Sequence, residues 1–245
     1  MACSRVTGMA VTVAAGLLVG GVAYAALSPS SQLFGKVLIA GKNPRELALT
    51  YDDGPNPAVT PRLLELLAAH STRATFFLIG QFVRQEPALA REIAAAGHLI
   101  GNHTTNHPRL AWRSAQRIRY EIRETNSILE DVLGRSVRFF RPPHGARRPY
   151  VIQAARELGL STVQWNVTAS DWNPIGAEAI ADNIERGIAR NQDRSRSSNI
   201  LLHDGGHHGL GADRLATISA TSSVLQRHSK DQFVTVDVWN SFYKI

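Results

Sequence analysis

Two adjacent carboxylates, Asp52 and Asp53, stand shortly after an apolar run at residues 47–49. Such a pair suits metal-assisted hydrolysis, with one carboxylate on the cation and the other free as a general base. The segment is equally typical of a turn, because aspartate tolerates turn geometry, Gly54 permits positive φ and Pro55 ends a strand. The other polar clusters of the chain decide between these interpretations.

Two histidines with a metal-ligand spacing, His103 and His107, form the second cluster. A spacing of four residues places both imidazoles on one side of a helical turn, where they can bind one cation. The alternative is a pair of surface histidines beside a turn at Pro108. Together with one carboxylate, two imidazoles leave coordination positions open to water and substrate, as a catalytic site requires.

A third cluster joins Arg141 to the loop at residues 142–145. Arginine is always charged, so it can keep the free carboxylate ionised and oriented; a structural surface arginine is the alternative. Prolines such as Pro143 stiffen the loop, and Gly145 permits close approach. A backbone N–H near His144 can therefore stabilise an oxyanion.

A histidine at the end of an apolar strand, His203, is the natural group to protonate a leaving amine near neutral pH. The alternative is a hydrogen-bonded core histidine. His207 and His208 lie in a glycine-rich loop at residues 205–211, and we expect them to face solvent, with a role in substrate binding as the alternative. The arginine-rich stretch 190–198 is likewise predicted to be a solvated loop.

Apolar runs alternate with amphipathic helical patterns, which predicts repeated β-α units and a mostly parallel sheet. Strands are predicted at residues 46–51, 74–79, 98–101, 137–140, 162–167, 199–202 and 233–238. Helices are predicted after Thr60, as N-cap, and at 87–96, 114–133, 149–159, 177–189 and 213–226. No glycine-rich dinucleotide or phosphate loop follows the first strand, so an α/β barrel, closed or nearly closed, is favoured over a doubly wound sheet.

The polar clusters fall just past the C-terminal ends of the predicted strands. They are Asp52 with Asp53, His103 with His107, Arg141, Asp171 with Trp172, and His203. In β/α barrels this rim builds the active site, so coincidence is a poor explanation of the pattern. Trp165 and Trp172 border the fifth strand; tryptophan is usually core, yet one at the rim can stack on a sugar face.

Composition favours a single globular domain, since the chain has 245 residues and 44% hydrophobic content. The net charge of +7 is carried mostly by arginine and suits a polyanionic neighbour such as a cell wall or membrane surface. Nucleic acid is not expected as a partner, because no basic motif with interleaved aromatics occurs. The only cysteine, Cys3, lies near the N-terminus, which excludes a cysteine hydrolase and a thiolate zinc site from the domain.

The N-terminal run from Val6 to Leu27 contains no charged residue, and Ala23 and Ala25 are small residues at positions that a signal peptidase reads. It is interpreted as a secretion signal cleaved near Ala25, with an uncleaved membrane anchor as the alternative. Either places the protein outside the cytoplasm, in contact with a membrane only through this segment. The predicted organisation is residues 1–27 as signal or anchor, 28–43 as linker and 44–245 as catalytic domain.

Taken together, the clusters resemble the motifs of the polysaccharide deacetylases with NodB homology, carbohydrate esterase family 4. The matching segments are Thr50–Pro55, His103–His107, Arg141–Gly145, Ser170–Trp172 and Leu201–His203, within a similarity that covers about residues 46–239. The resemblance implies a distorted (β/α) barrel with about seven parallel strands. It also implies Asp52 as general base, Asp53, His103 and His107 as metal ligands, Arg141 as partner of the base and His203 as general acid.

The function that this resemblance implies is metal-dependent removal of N-acetyl groups from N-acetylglucosamine units of a peptidoglycan- or chitin-type polysaccharide, releasing acetate. Zinc is the expected metal, with cobalt or manganese as substitutes. Pro143, His144, Asp171 and Trp172 are the expected oxyanion or substrate contacts. The alternatives are an O-acetyl esterase acting on xylan or a similar glycan, and a non-catalytic glycan-binding protein.

Two positions depart from the family pattern. The fourth motif usually carries an earlier aspartate, and Thr168 stands there in this chain. If that carboxylate normally tunes the acid, His203 should have a lower pKa here or use another partner. The third motif commonly has a tyrosine at the position of His144, so contacts made by that side chain are not expected, whereas a backbone oxyanion contact survives the change.

Overall fold

The computed structural model of the protein describes residues 28–240, so the signal or anchor predicted at residues 1–27 lies outside the described part. The strands are β1 Glu46–Gly54, β2 Thr75–Leu78, β3 Leu99–Asn102, β4 Phe139–Phe140, β5 Ser161–Thr162, β6 Val167–Thr168, β7 Ser198–His203 and β8 Gln232–Phe233. The α-helices are α1 Thr60–Ala69, α2 Gly80–Gln85, α3 Pro87–Ala95, α4 Ala115–Leu133, α5 Pro149–Glu157, α6 Ala177–Gln192 and α7 Leu215–Arg227. Within residues 28–240, no helix combines the length and apolar character that crossing a bilayer requires.

The strands form one curved parallel sheet in the order β5-β4-β3-β2-β1-β7-β6, with β8 paired to the start of β1. The sheet is open between β5 and β6, where Leu38 forms a parallel bridge with Val163. The predicted distorted (β/α) barrel of about seven parallel strands is therefore confirmed. Since β1 pairs with three strands, β2, β7 and β8, it is called the central strand.

The central strand β1 is buried on both faces, as expected of a parallel sheet covered by helices. Because side chains alternate along a strand, Leu47, Leu49 and Tyr51 join the main hydrophobic cluster, which includes residues of the surrounding helices. The opposite face carries Ala48, which packs in a second cluster with Phe77. This second face lines the barrel interior and leads along the strand to the rim.

Two of the predicted strands differ in the structure. The run 162–167 was expected as one strand, but β5 pairs with β4 whereas β6 pairs with β7. Between β5 and β6, the Gln164 N–H donates to the Leu38 carbonyl at 2.8 Å. This part of the chain therefore bonds to the N-terminal segment and not to a strand of the sheet. The last predicted strand, 233–238, is largely a 3₁₀ helix at Val236–Trp239. Apolar residues recur throughout both segments, so the sequence does not indicate either change of direction.

Helix α2 was not predicted from the sequence. Its first two N–H groups, at Gly80 and Gln81, donate to the carbonyls of Thr104 and Thr105 at 3.0 and 3.1 Å. These acceptors belong to the loop that carries the two predicted metal-binding histidines. The helix start is thus satisfied by a distant segment, which no local capping pattern announces.

Residues 28–43, predicted as a linker, instead pack on the domain. Val37 is buried, and the buried guanidinium of Arg147 donates to the carbonyls of Ser28 and Ser31 at 2.9 and 2.8 Å. Both side chains, such as that of Val37, and backbone carbonyls provide these contacts.

Helix α4 holds the histidine loop in place. It begins after the N-cap Ser114 and ends at Gly134 in a left-handed conformation, as predicted. From its buried face, the Glu121 carboxylate accepts the N–H groups of Thr105 and Asn106, each at 3.0 Å. A helical carboxylate therefore fixes the backbone between the two histidines.

We expect Glu121→Ala to lower the free energy of unfolding by about 2–4 kcal/mol, because two buried N–H groups lose their acceptor. Glu124→Ala is the matched control on the same helix, since Glu124 pairs with Arg84 in a partly exposed ion pair. This change should cost less than about 1 kcal/mol. Urea denaturation of both variants measures the difference, and equal losses would contradict the role given to Glu121.

Candidate active site

The register of the parallel sheet brings the predicted site residues to one edge. Asp52 lies opposite Phe77 of β2 and His203 of β7, and Asn102 lies opposite Phe140, one residue before Arg141. Every one of these strands ends at the same rim of the barrel. The clusters that are far apart in sequence therefore meet around the end of β1.

Asp52 is buried and held by Arg141. Its Oδ1 accepts from the Arg141 guanidinium at 2.8 Å, while its Oδ2 lies 3.7 Å from His103 Nε2. Arg141 is fully buried, also donates to the Thr50 hydroxyl at 2.8 Å, and lies 4.1 Å from the centre of the Phe77 ring. One oxygen of Asp52 is thus committed to the arginine, and the other faces the histidines.

Asp53, His103 and His107 meet as predicted. Asp53 Oδ1 lies 3.4 Å from His103 Nε2 and 3.2 Å from His107 Nε2. All three side chains are buried, and Asp53 Oδ1 has no hydrogen-bond partner among the described residues. A buried carboxylate oxygen without a donor, facing two imidazole nitrogens, fits a divalent cation of the zinc type.

The electrostatics of these groups also fit a cation. Burial alone would raise the pKa of Asp53, but its interactions with His103, His207 and His107 hold that pKa well below the usual range. Burial and the neighbouring His103 lower the pKa of His107 to about 2. An ionised carboxylate and a neutral imidazole are the forms that bind metals.

His103 is oriented by a second contact. Its Nδ1 lies 2.8 Å from the carbonyl oxygen of Arg141, which assigns the ring proton to Nδ1 and directs Nε2 toward the aspartates. Metal-binding histidines commonly use their second nitrogen in this way. Arg141, which binds Asp52, thus also orients His103, one of the predicted ligands.

Backbone strain concentrates at the site. Asp53, His107 and His144 have φ values of 70°, 51° and 57°, a region that non-glycine residues enter at a cost of about 1 kcal/mol or more. The sequence interpretation gave the positive φ to Gly54, whereas the structure has it at Asp53. Gly54 is needed for space, because a Cβ there would lie 2.4 Å from Asp204 Oδ2.

His203 pairs with Asp171 rather than with residue 168. Its ring Nδ1 lies 2.8 Å from Asp171 Oδ1, and its backbone N–H donates to Asp171 Oδ2 at 2.7 Å. Burial would lower the pKa of His203, but the charge and hydrogen bond of Asp171 raise it to about 9. The expectation of a lower pKa is therefore wrong, and the expected alternative, another partner, is what the structure contains.

Asp171 was also expected to contact substrate, and the structure assigns it elsewhere. The side chain is buried, and its Oδ2 accepts a further hydrogen bond from Thr217 at 2.9 Å. Thr168 meanwhile accepts from the Trp165 indole at 3.0 Å. Asp171 is thus a positioning residue for His203, and Thr168 supports a core tryptophan.

The two tryptophans near the rim have different surroundings. Trp165 is buried and packs beneath the loop at residues 142–145, where a Cβ on Gly145 would lie 2.6 Å from its ring. Trp172 is 46% exposed, and its ring centre lies 5.5 Å from that of His203. Trp172 is the one placed to meet a sugar face.

The loop after Arg141 lies at the site, with its N–H groups partly used. The Gly145 N–H donates to the Pro142 carbonyl at 3.0 Å, so the N–H of His144 is the better candidate for an oxyanion contact. Pro143 is buried, whereas the His144 side chain is exposed and lies edge-on to His107 with ring centres 4.6 Å apart.

Asp204 was missed by sequence reasoning. It is fully buried, its N–H donates to the Asp52 carbonyl at 3.2 Å, and its Oδ2 accepts from the Thr60 hydroxyl at 2.5 Å. Burial raises the pKa of Asp204 to about 7. Thr60, predicted as an N-cap, is instead the first residue of α1 after Val59, because its hydroxyl serves Asp204. The sequence signal that could have identified Asp204 is its position directly after His203.

A cleft of about 900 Å³ opens beside the histidines. Its lining includes Arg109, His144 and His207, together with Trp112, which is 84% exposed. A larger cavity of about 1100 Å³ is lined by residues such as 34–42 and contains none of the predicted site residues. The chemistry therefore points to the smaller cleft as the place for a substrate.

Comparison with known proteins agrees with the motifs and the barrel. A family model described as polysaccharide deacetylase matches residues 40–163. A chitooligosaccharide deacetylase of Azorhizobium caulinodans is 40% identical over 166 residues, which are 67% of this chain and 76% of that protein. A peptidoglycan-N-acetylglucosamine deacetylase of Bacillus cereus is 35% identical over 199 residues, 79% of this chain and 87% of that protein.

A solved structure has the same fold. The Bc1960 peptidoglycan N-acetylglucosamine deacetylase, in complex with 4-naphthalen-1-yl-N-oxidanyl-benzamide, is similar with a TM-score of 0.73 and 32% identity. The similarity covers 82% of this chain and 91% of that one. On these matches, the five motifs and the parallel barrel, the chain belongs to the polysaccharide deacetylase family, the NodB-homology hydrolases of carbohydrate esterase family 4.

Proposed function

We propose that this protein is a metal-dependent hydrolase that removes N-acetyl groups from N-acetylglucosamine units of a peptidoglycan- or chitin-type polysaccharide and releases acetate. The observation that carries the proposal is the pairing of a base, Asp52 with Arg141, and an acid, His203 with Asp171, at one rim. Both border the Asp53 carboxylate and its imidazoles. The named substrates of the relatives are N-acetylglucosamine glycans, which supports this class of substrate.

Asp53, His103 and His107 would hold the metal, and zinc is proposed because the donors are one carboxylate and two imidazoles. Cobalt or manganese suits the same donors. When bound, the cation supplies Lewis-acid polarisation of the acetyl carbonyl and a lower pKa for the attacking water. The protein supplies the remaining steps.

Asp52 takes the proton of the attacking water. Its Oδ1 is held by Arg141, so Oδ2, near His103, is the oxygen directed at the reaction. As the C–O bond forms, negative charge develops on the acetyl oxygen, and the His144 N–H is positioned in the loop to donate to it. Arg141 keeps the base in one orientation without touching the substrate.

His203 gives its proton to the nitrogen as the C–N bond breaks, because an amine leaves only when it is protonated. The pKa of about 9 keeps His203 protonated near neutral pH before the reaction. The products are acetate and a free amino sugar. An O-acetyl esterase remains the alternative, and it depends less on His203 since an alkoxide needs the acid less.

A non-catalytic glycan-binding role is disfavoured by the buried charges. Arg141 and Asp52 are desolvated together, and the guanidinium also donates to Thr50 and Asn199 at 2.8 and 3.4 Å. Such a buried pair is expensive to form. Holding a sugar does not require it, whereas orienting a general base does.

Asp52→Asn should lower acetate release from N-acetylglucosamine oligomers by about 10²- to 10⁴-fold while leaving metal binding in place. Asp182→Asn, an exposed carboxylate change on α6, is the matched control and should release acetate at the wild-type rate. A chelator should abolish the wild-type activity, and added zinc should restore it. Enzymatic acetate assay measures all three.

The same assay separates the alternatives. Preference for acetylated xylan over N-acetylglucosamine oligomers would assign the protein as an O-acetyl esterase. No acetate from either substrate, together with retained glycan binding, would assign a binding protein. Undiminished activity of Asp52→Asn would show that another group is the base.

Asp171→Asn should shift the upper limb of the kcat pH profile to lower pH by about two units or more. Without the charge and hydrogen bond of Asp171, only the charges of Asp53 and Asp52 oppose the effect of burial, so the pKa of His203 falls. Activity should therefore recover at acidic pH and be lost near pH 8. Thr217→Val, which keeps the Asp171 charge, is the control and should shift the limb much less. An unchanged limb in Asp171→Asn would remove Asp171 from this role.

We also propose that the protein acts outside the cytoplasm. The uncharged run at 6–27 and the small residues Ala23 and Ala25 support a cleaved signal. Mass spectrometry of the protein from its native host should find an N-terminus just after Ala25. An intact N-terminal segment in the membrane fraction would instead assign an anchor.

A further inference from the structure

His207, expected to face solvent, lies against the proposed metal ligands. Its Nδ1 is 3.8 Å from Asp53 Oδ2, and its ring stacks on His107 with centres 4.5 Å apart and an interplanar angle of 24°. Asp53, His107 and His207 each offer a donor atom within 4.8 Å of the others. The Asp53 carboxylate is therefore flanked by imidazoles on both oxygens, with His103 and His107 on Oδ1 and His207 on Oδ2.

Close packing and hydrogen bonds hold the loop that carries His207. Gly205, two residues earlier, packs so closely on the Asp53 carbonyl that a Cβ would lie 2.0 Å from its oxygen. The Gly205 carbonyl in turn accepts from Arg214 Nε at 2.8 Å. The base of the loop is thus seated on the backbone of the metal-binding aspartate.

A single buried side chain fixes both ends of this loop. Asn56 Nδ2 donates to the carbonyls of Asp204 and Ala212 at 2.9 and 2.8 Å, and its Oδ1 accepts the Gly211 N–H at 3.1 Å. Asn56 lies three residues after Asp53, in the loop that follows β1. The segment that carries the carboxylate therefore also holds the segment that carries His207.

We propose that His207 is a fourth protein ligand of the divalent cation, beside Asp53, His103 and His107. The inference rests on the proposed metal site and goes beyond the three ligands that the motifs imply. A fourth ligand leaves less of the coordination sphere to water, so His207 competes with water for a position or the coordination number expands to five. The 36% exposure of its side chain and the glycines around it leave room for either.

The test compares metal binding in His207→Asn with that in His208→Asn, a control from the next position of the same loop. Zinc affinity is measured by competition with a chelating indicator, and cobalt-loaded protein is examined by visible absorption, which reports the donor set. We expect His207→Asn to weaken zinc binding about tenfold or more and to change the cobalt spectrum. His208→Asn should leave both as in the wild type.

Asp53→Asn and His103→Asn separate this inference from the proposed site. If both lose zinc while His207→Asn binds zinc and cobalt like the wild type, the site stands and the fourth ligand is overturned. Equal weakening in His207→Asn and His208→Asn would assign the effect to the loop and also overturn it. Wild-type zinc binding by Asp53→Asn and His103→Asn would overturn the metal site and His207 with it.

Discussion

Two adjacent carboxylates are buried at the end of the central strand, and the rest of the rim follows from that constraint. A desolvated charge costs several kcal/mol unless an opposite charge and hydrogen bonds compensate it. Asp52 is compensated by the fully buried Arg141. Asp53 faces imidazoles on both oxygens, and one of its oxygens has no hydrogen-bond partner among the described residues. This arrangement fits the divalent cation proposed for the site.

The compensating groups come from different strands, so the parallel register is what makes the site possible. β1 pairs with β2 on one side and β7 on the other, which brings His203 opposite Asp52. Strained residues lie at the end of β1, such as Asp53, and in the loops beyond the strands, such as His107. This strain persists because buried side chains of neighbouring elements, among them Glu121 and Asn56, bind the same loops at several points.

The proposed acid, His203, is paired differently from what the family motif implies. Thr168 brings no carboxylate, yet His203 is paired through Asp171, which uses one oxygen for the ring and the other for the His203 N–H. One carboxylate thus sets both the protonation and the orientation of the imidazole. The proposed base is held in a corresponding way with the charges exchanged, since the Arg141 cation sets the orientation of the Asp52 carboxylate.

The parallel barrel, its rim and most of the candidate site residues could be predicted from the amino-acid sequence, because apolar periodicity and motif order are local properties of the chain. The limits of α4 could also be predicted, because its caps are single residues. Three further features became visible only in the folded protein: the division of residues 161–168 between β5 and β6, the packing of residues 28–43, and the pairing of Asp171 with His203. The same holds for His207 and Asp204, whose surroundings are made by β1 and its loop. Their roles depend on contacts about 150 residues away in the chain, and no local pattern encodes such distances.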